Sequence, residues 1–354
     1  RSFPVNAFMP LLGVGTVSAR VDVNGTGYDP FRKSTAINAN GEIKSAVYQG
    51  VDYTNIAVAA NLHDGNAHVS LNSANPDADL TLTAEGNLNG DTYVWTANVD
   101  GRHIDLYALK FVPEPSSIEL SAQADATIGP GRNDIAAHLV LNDLYFARMN
   151  GTIGLTDVDA HLLGSDSLTS LALTNRDLSA NFSAPLPIDS LITRFSRTSS
   201  LLQQQMTAFH IDVDTLQRVL PPFTLYVQGG YSNLVNDILA PSKITLRAFS
   251  LSADNDSTLA LDGIVRRLET GSMRLDSIFI GARQHDRHLH LDAGVENRPG
   301  NLDQWHRIDL NGQIDGHEAL LGLHQQNLQG KTGFELGFRA SAEREDSTLT
   351  LNIK

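Results

Sequence analysis

Residues 80–106 read LTLTAEGNLNGDTYVWTANVDGRHIDL, and this stretch predicts the fold of the chain. Leu80, Leu82 and Ala84 alternate with polar residues, and the alternation resumes after Asn89-Gly90 over residues 93–99. A period of two places apolar side chains on one side of a β-strand and polar ones on the other. Asn-Gly and Asp-Gly favour tight hairpin turns, because both central residues of a type I′ turn need a positive φ. The stretch therefore predicts consecutive antiparallel strands.

The same pattern recurs along the chain, for example over residues 17–23, 56–62 and 289–295. Asn-Gly or Asp-Gly pairs begin at positions 24, 40, 64, 89, 100, 150, 262, 311 and 315. In the early part of the chain, the distance between successive pairs corresponds to one or two repeats. One repeat is a strand with its turn, about 12 residues. Parallel pairing needs a crossover connection, usually a helix, and the pattern shows none between these strands. We therefore expect a meander of hairpins. The predicted fold class is all-β, mainly antiparallel, with an elongated sheet curled into a gutter.

A short helical insert is predicted near residues 187–240. Apolar residues at positions 188, 191, 192, 195, 202 and 206 follow the spacing of one helical face after Pro187. A second helix is predicted over Asp212–Leu220, and a third after Ser232 as the N-cap, ending before Pro241. The predicted organisation is a first β segment over residues 1–184, the insert over 185–241 and a second β segment over 242–354.

Composition narrows the function classes. The chain has 354 residues and a net charge of −14, which argues against binding to nucleic acid. It has no cysteine, which excludes disulfides and thiolate sites. Only 6% of the residues are aromatic, so the apolar interior must consist mainly of Leu, Val, Ile and Ala. The sequence contains no apolar run of the roughly 18 residues that a membrane-spanning helix needs. Because it opens at Arg1 and closes on a strand-like run, we expect it to be a section of a longer protein.

Candidate chemical residues are few. His288 and His290 would share one face of a strand and could bind a metal, but Leu289 and Leu291 suggest that this face simply points to water. Acidic pairs at positions 77/79, 157/159, 212/214 and 254/256 lack the glycine bend and closing glutamate of a calcium loop. No nucleophile elbow, P-loop or H-E-x-x-H motif occurs. We therefore predict no catalytic, cofactor-binding or metal-binding residue and no enzymatic activity.

The long alternating runs resemble the repetitive body of TamB/AsmA-like envelope proteins, the translocation and assembly module family. Segments such as Gly151-Thr-Ile-Gly-Leu-Thr-Asp and Leu310-Asn-Gly-Gln-Ile-Asp-Gly carry this resemblance, and Asp212-Val-Asp-Thr-Leu-Gln-Arg-Val-Leu-Pro-Pro resembles the helical inserts of that body. The likeness covers most of the chain. The family's N-terminal membrane anchor and C-terminal domain have no counterpart here.

The resemblance implies a periplasmic section of a protein anchored to the inner membrane of a diderm bacterium. Its implied role is an apolar β-groove that carries phospholipids between membranes or assists the assembly of outer-membrane proteins. The implied partners are phospholipid acyl chains and barrel-type outer-membrane assembly proteins, with no nucleic acid and no cofactor. The alternative is an extracellular β-rich adhesin or glycan-binding structural protein without a lipid groove. Low aromatic content disfavours that alternative, because sugar binding relies on aromatic stacking platforms.

Overall fold

A computed structural model describes residues 3–4, 14–48, 50–131, 133–149, 151–208, 210–256, 258–271, 273–285, 288–297, 306–316, 318–327, 331–343 and 348–353. About 68% of the chain is strand and 12% is helix. The chain forms two compact units, unit 1 (Arg1–Leu162) and unit 2 (Leu163–Lys354). Each unit is built mainly from β-strands that follow one another along the sequence.

Unit 1 is a meander in which each strand pairs antiparallel with the next, from β1 through β9, and β9 pairs with β10. Its strands are β1 (Phe3–Pro4), β2 (Val14–Thr26), β3 (Ala36–Tyr48), β4 (Val51–His63), β5 (Asn66–Asn75), β6 (Ala78–Asn87), β7 (Tyr93–Asp105), β8 (Ser116–Ile128), β9 (Ile135–Arg148) and β10 (Gly151–Gly164), the last of which runs just past the unit boundary.

Unit 2 continues with sequential antiparallel pairs from β11 to β21. Its strands are β11 (Thr169–Asn175), β12 (Leu178–Ala184), β13 (Thr224–Gly229), β14 (Ile244–Asn255), β15 (Leu259–Thr270), β16 (Met273–His285), β17 (His288–Asn297), β18 (His306–Asp315), β19 (Glu318–Asn327), β20 (Thr332–Glu343) and β21 (Thr348–Ile353). Its helices are α1 (Ile188–Thr207), α2 (Val213–Val219) and α3 (Leu234–Leu239), followed by a 3-10 turn (Ala240–Ser242).

The predicted all-β antiparallel fold with a short helical insert is confirmed. The three helices occupy the predicted insert, with one correction at α3. Its N-cap is Asn233 rather than Ser232, because the Asn233 Oδ1 accepts hydrogen bonds from the backbone N–H groups of Val235 and Asn236. The insert also contains β13, which the sequence pattern did not predict. This six-residue strand pairs with β12 on one side and β14 on the other.

Several predicted turns were wrong. The pairs at 64, 89 and 315 lie at the ends of strands, and Asp64 and Gly65 both have the positive φ of the expected turn. The pairs at 24, 40, 100, 262 and 311 instead lie inside β2, β3, β7, β15 and β18. At position 150 the asparagine lies outside the described residues, and Gly151 begins β10.

Two of these glycines inside strands, Gly263 and Gly312, leave room for side chains on neighbouring strands. A Cβ on Gly263 would contact the side chains of Ile280 and Leu251. A Cβ on Gly312 would likewise contact those of Leu321 and Leu291. An Asn-Gly or Asp-Gly pair in this chain therefore either forms a turn or places a glycine inside a strand, where neighbouring side chains fill the space. The dipeptide alone does not distinguish the two cases.

Few apolar side chains are fully buried. Among the described residues of unit 1, Val51, Ala78 and Leu109 form a small cluster with Tyr53 and Ile104 packed against it. Leu109 lies in the connection between β7 and β8, so this cluster is a local contact at strand ends. The other buried apolar residues are Leu62, Ile153, Val158, Leu178, Ala184, Leu191, Val213 and Ala253.

Candidate functional site: an apolar face on each unit

The strand register of unit 1 places apolar residues opposite one another across eight strands. Residues that pair across successive antiparallel strands lie on the same face, and we call each such set a cross-strand row. One row consists of Val21, Gly41, Val58, Leu71, Leu82, Val99, Ala122 and Leu141. A second row on this face consists of Val23, Ala39, Ala60, Val69, Ala84, Ala97, Ala124 and Leu139.

The row between these two lies on the opposite face, because side chains alternate along a strand. It consists of Asp22, Asn40, Ala59, Ser70, Thr83, Asn98, Gln123 and Val140, and it is mostly polar. Unit 1 thus has one apolar face and one polar face.

Unit 2 repeats this arrangement over ten strands, from β11 to β20. One apolar row consists of Leu173, Ala180, Val227, Leu251, Gly263, Ile280, Ala293, Leu310, Leu323 and Leu336. The next row on that face consists of Leu171, Phe182, Leu225, Ala253, Leu261, Ala282, Leu291, Gly312, Leu321 and Phe338. Between them, on the polar face, lie Ala172, Asn181, Tyr226, Ser252, Asp262, Gly281, Asp292, Asn311, Gly322 and Gly337.

Both apolar faces remain partly open. Val21 and Val23 in unit 1 are each 65% exposed, and Ile280 in unit 2 is 51% exposed. A soluble sheet normally covers its apolar face with a second layer. The exposed valines and isoleucine show that this covering is incomplete over both faces. Exposed apolar patches of this kind mark surfaces that bind another molecule.

Helix α1 covers the beginning of the unit 2 apolar face. The ring of Phe195 lies 6.4 Å from that of Phe182 on β12 and 5.9 Å from that of Phe223. The rings of Phe182 and Phe223 also lie 5.9 Å apart. Farther along α1, Leu202 and Met206 stay exposed. The helix therefore contributes an aromatic cluster to one part of the face and leaves further apolar surface free.

Two amide side chains attach α2 to the strand ends at the border of the same face. Asn255, the last residue of β14, donates from Nδ2 to the carbonyl oxygens of Gln217, Leu220 and Pro221 at distances of 3.3, 3.1 and 3.0 Å. Gln284 on β16 donates from Nε2 to an Asp214 carboxylate oxygen at 3.0 Å. The Asn255 contacts hold the carboxyl end of α2 at the end of β14, and the Gln284 contact holds its amino end near the end of β16.

Each unit also contains a cluster of charged or polar side chains. In unit 2 a cavity of about 720 Å³ is lined by Arg247, Arg266, Arg267 and Arg274 together with Ile264, Asp276 and Ser277. Asp276 neutralises part of this charge, since its Oδ1 accepts a 2.8 Å hydrogen bond from the Arg274 Nη2. In unit 1 the sequence reasoning missed a group of three side chains of metal-ligating types, His138, Asp159 and His161, whose potential ligand atoms all lie within 4.8 Å of one another.

His288, His290 and four acidic pairs were the metal candidates considered from the sequence. His288 and His290 lie on β17, their ring centroids are 6.3 Å apart, and His288 Nδ1 lies 3.5 Å from an Asp315 carboxylate oxygen. Within the described part of the chain, they do not join a third ligand in a compact group. Of the acidic pairs, Asp79 pairs with Arg102, whose guanidinium lowers the Asp79 pKa, and Asp212 caps α2. Asp159, from the pair at 157/159, is the exception because it contacts two histidines. The sequence did not reveal this group, since His138 lies on a different strand, β9, from Asp159 and His161 on β10.

No family model, curated protein or solved structure matches this chain. Its membership in the TamB/AsmA-like family therefore stays a hypothesis. Within the described residues, no helix combines the length and apolar character needed to cross a membrane.

Proposed function

We propose that the apolar face of each unit binds phospholipid acyl chains, and that the chain is a periplasmic section of a TamB/AsmA-like protein. In that role it would move phospholipids between membranes or assist outer-membrane protein assembly. One observation carries the proposal: apolar rows continue across eight strands in unit 1 and ten in unit 2, while large members of those rows stay exposed.

Acyl chains suit such a surface physically. Each CH₂ group removed from water contributes about 0.8 kcal/mol, so an apolar lining retains a lipid tail without any dedicated polar contact. Valine, leucine and alanine rows provide this lining, and the headgroup stays in water. Because the cross-strand rows are continuous, one acyl chain can lie across several strands and move along a row.

Photo-crosslinking tests the proposal directly. The photoreactive residue p-benzoylphenylalanine is placed at Leu251 or Leu291 on the apolar face, and at the neighbouring Ser252 or Asp292 on the polar face. The purified chain is incubated with vesicles of phosphatidylethanolamine and phosphatidylglycerol, irradiated and examined by mass spectrometry. We expect phospholipid adducts at positions 251 and 291 and none at 252 and 292. Equal labelling on both faces, or no adduct at all, would contradict the proposal and favour a lipid-free adhesin.

A further inference from the structure

Three side chains on the polar face of unit 1 converge at one point. Asp159 and His161 lie two residues apart on β10 and therefore share a face, and His138 lies on the neighbouring strand β9. His138 belongs to the polar cross-strand row that also contains His68, Glu85, Thr96 and Asp125. The group is thus held by two paired strands rather than by a loop.

Both imidazoles point the same ring nitrogen at the same carboxylate. His138 Nε2 lies 2.9 Å from Asp159 Oδ2, and His161 Nε2 lies 2.9 Å from Asp159 Oδ1. The three potential ligand atoms all lie within 4.8 Å of one another. Two imidazole nitrogens and one carboxylate oxygen are a ligand set typical of zinc sites that keep a position open for water.

We propose that His138, Asp159 and His161 bind one divalent transition-metal ion, for which Zn²⁺ is the best match. Nitrogen ligands favour zinc over calcium or magnesium, which take oxygen ligands. Zn²⁺ commonly takes three protein ligands and one water in a tetrahedral arrangement, which a partly exposed site on a strand pair can provide.

Binding requires a small rearrangement of the two rings. They are stacked with centroids 4.1 Å apart and an angle of 3° between their planes. A ring nitrogen binds a metal through a lone pair in the ring plane, and two parallel planes share no point. Each ring therefore turns about its Cβ–Cγ bond so that both nitrogens reach one ion. Both side chains are partly exposed, at 34% and 56%, which leaves space for this rotation.

The bound ion would join β9 to β10 by ligand bonds in addition to the backbone ladder. Since the ion binds the folded site and the unfolded chain holds no such arrangement, it would raise the melting temperature of the protein.

Calorimetric titration of the chelator-treated full chain with ZnSO₄ tests this site. We expect one equivalent to bind, and His138→Gln or His161→Gln to weaken binding by at least about tenfold. His68→Gln is the matched control, because His68 lies in the same polar row and has one carboxylate neighbour, Glu85, at 3.3 Å. This control should bind Zn²⁺ as the unaltered chain does.

Titration with CoCl₂ gives a second, optical measurement, since a tetrahedral site produces visible absorption bands that both ligand variants should lose. Circular dichroism of each variant establishes that the strands are retained. The proposal is overturned if the unaltered chain shows no saturable Zn²⁺ binding, or if the double variant H138Q/H161Q binds as tightly as H68Q. Equal binding of CaCl₂ would also overturn it. None of these outcomes depends on lipid binding.

Discussion

Gly294 lies opposite Phe279 on the neighbouring strand. The same kind of pairing joins Gly86 to Trp95 and Gly229 to Phe249. A Cβ at Gly294 would overlap the ring of Phe279 and approach the backbone oxygen of Ile308. The glycine therefore provides the space into which the ring folds, as aromatic side chains do over glycines in other sheets.

Replacing Gly294 by alanine should destabilise unit 2. Forcing an added methyl group into a packed surface costs about 1–3 kcal/mol, and urea unfolding followed by tryptophan fluorescence or circular dichroism would measure the loss. Gly322→Ala is the control, because a Cβ there would have no closer neighbour than the Asn311 backbone oxygen at 3.9 Å. In the F279A background, Gly294→Ala should cost less than it does with Phe279 present, and an equal cost in both backgrounds would argue against the ring as the cause.

Asp212 links the stability of α2 to pH. The hydroxyl and backbone N–H groups of Thr215 donate to its carboxylate and lower the Asp212 pKa below its usual 3.8. A carboxylate with a lowered pKa stabilises the fold above about pH 3.8, and this contribution is lost as the pH falls through the pKa of the folded state. Asn is also a good N-cap and does not titrate.

Asp212→Asn should therefore be less stable than the unaltered chain near neutral pH, and the difference should shrink as the pH falls below about 3.8. Urea unfolding at a series of pH values measures this. A difference that stays constant across the series would show that the Asp212 charge does not contribute.

At the element scale, the Asn255 side chain attaches the carboxyl end of α2 to β14. Asn255→Ala would leave the carbonyl oxygens of Gln217, Leu220 and Pro221 without their Nδ2 donor, and an unsatisfied buried polar group costs about 1–3 kcal/mol. We expect faster amide hydrogen exchange in α2 while the strands keep their protection. Asn311→Ala, an exposed position on the polar face, is the control and should change little. Faster exchange throughout unit 2 would show instead that Asn255 supports the whole unit.

The insert that contains these helices cannot be treated as a removable lid. Because β13 lies inside it and joins β12 to β14, deleting residues 187–241 would remove a strand from the sheet. Point variants in α1 and α2 are the better test of whether the helices regulate access to the apolar face.

At the scale of the whole molecule, lipid occupancy should depend on both apolar faces. Leu71→Asp introduces a charge into the apolar row of unit 1, and Leu251→Asp does the same in unit 2. Burying such a charge under an acyl chain is unfavourable. Each variant should therefore lower the lipid-to-protein ratio measured by mass spectrometry after vesicle incubation, and the double variant should lower it further.

Ser70→Asp is the matched control for this experiment, because Ser70 neighbours Leu71 and points to the polar face. It should leave lipid binding unchanged. If Ser70→Asp lowered lipid binding as much as Leu71→Asp, a general effect of added negative charge would explain both results.

The period-two pattern determined the fold class by itself, because an alternating strand has one apolar side wherever it lies, and neighbouring strands joined by short turns pair antiparallel. The helix positions followed from the spacing of apolar residues and from prolines, because these signals are also local. The tertiary structure alone decided which Asn-Gly and Asp-Gly pairs turn. Gly263 and Gly312, for example, lie inside strands where branched side chains of neighbouring strands occupy the space that a Cβ would take. The tertiary structure also decided that His138 meets Asp159 and His161, because strand register brings together residues that are more than twenty positions apart along the chain, and no local pattern records register.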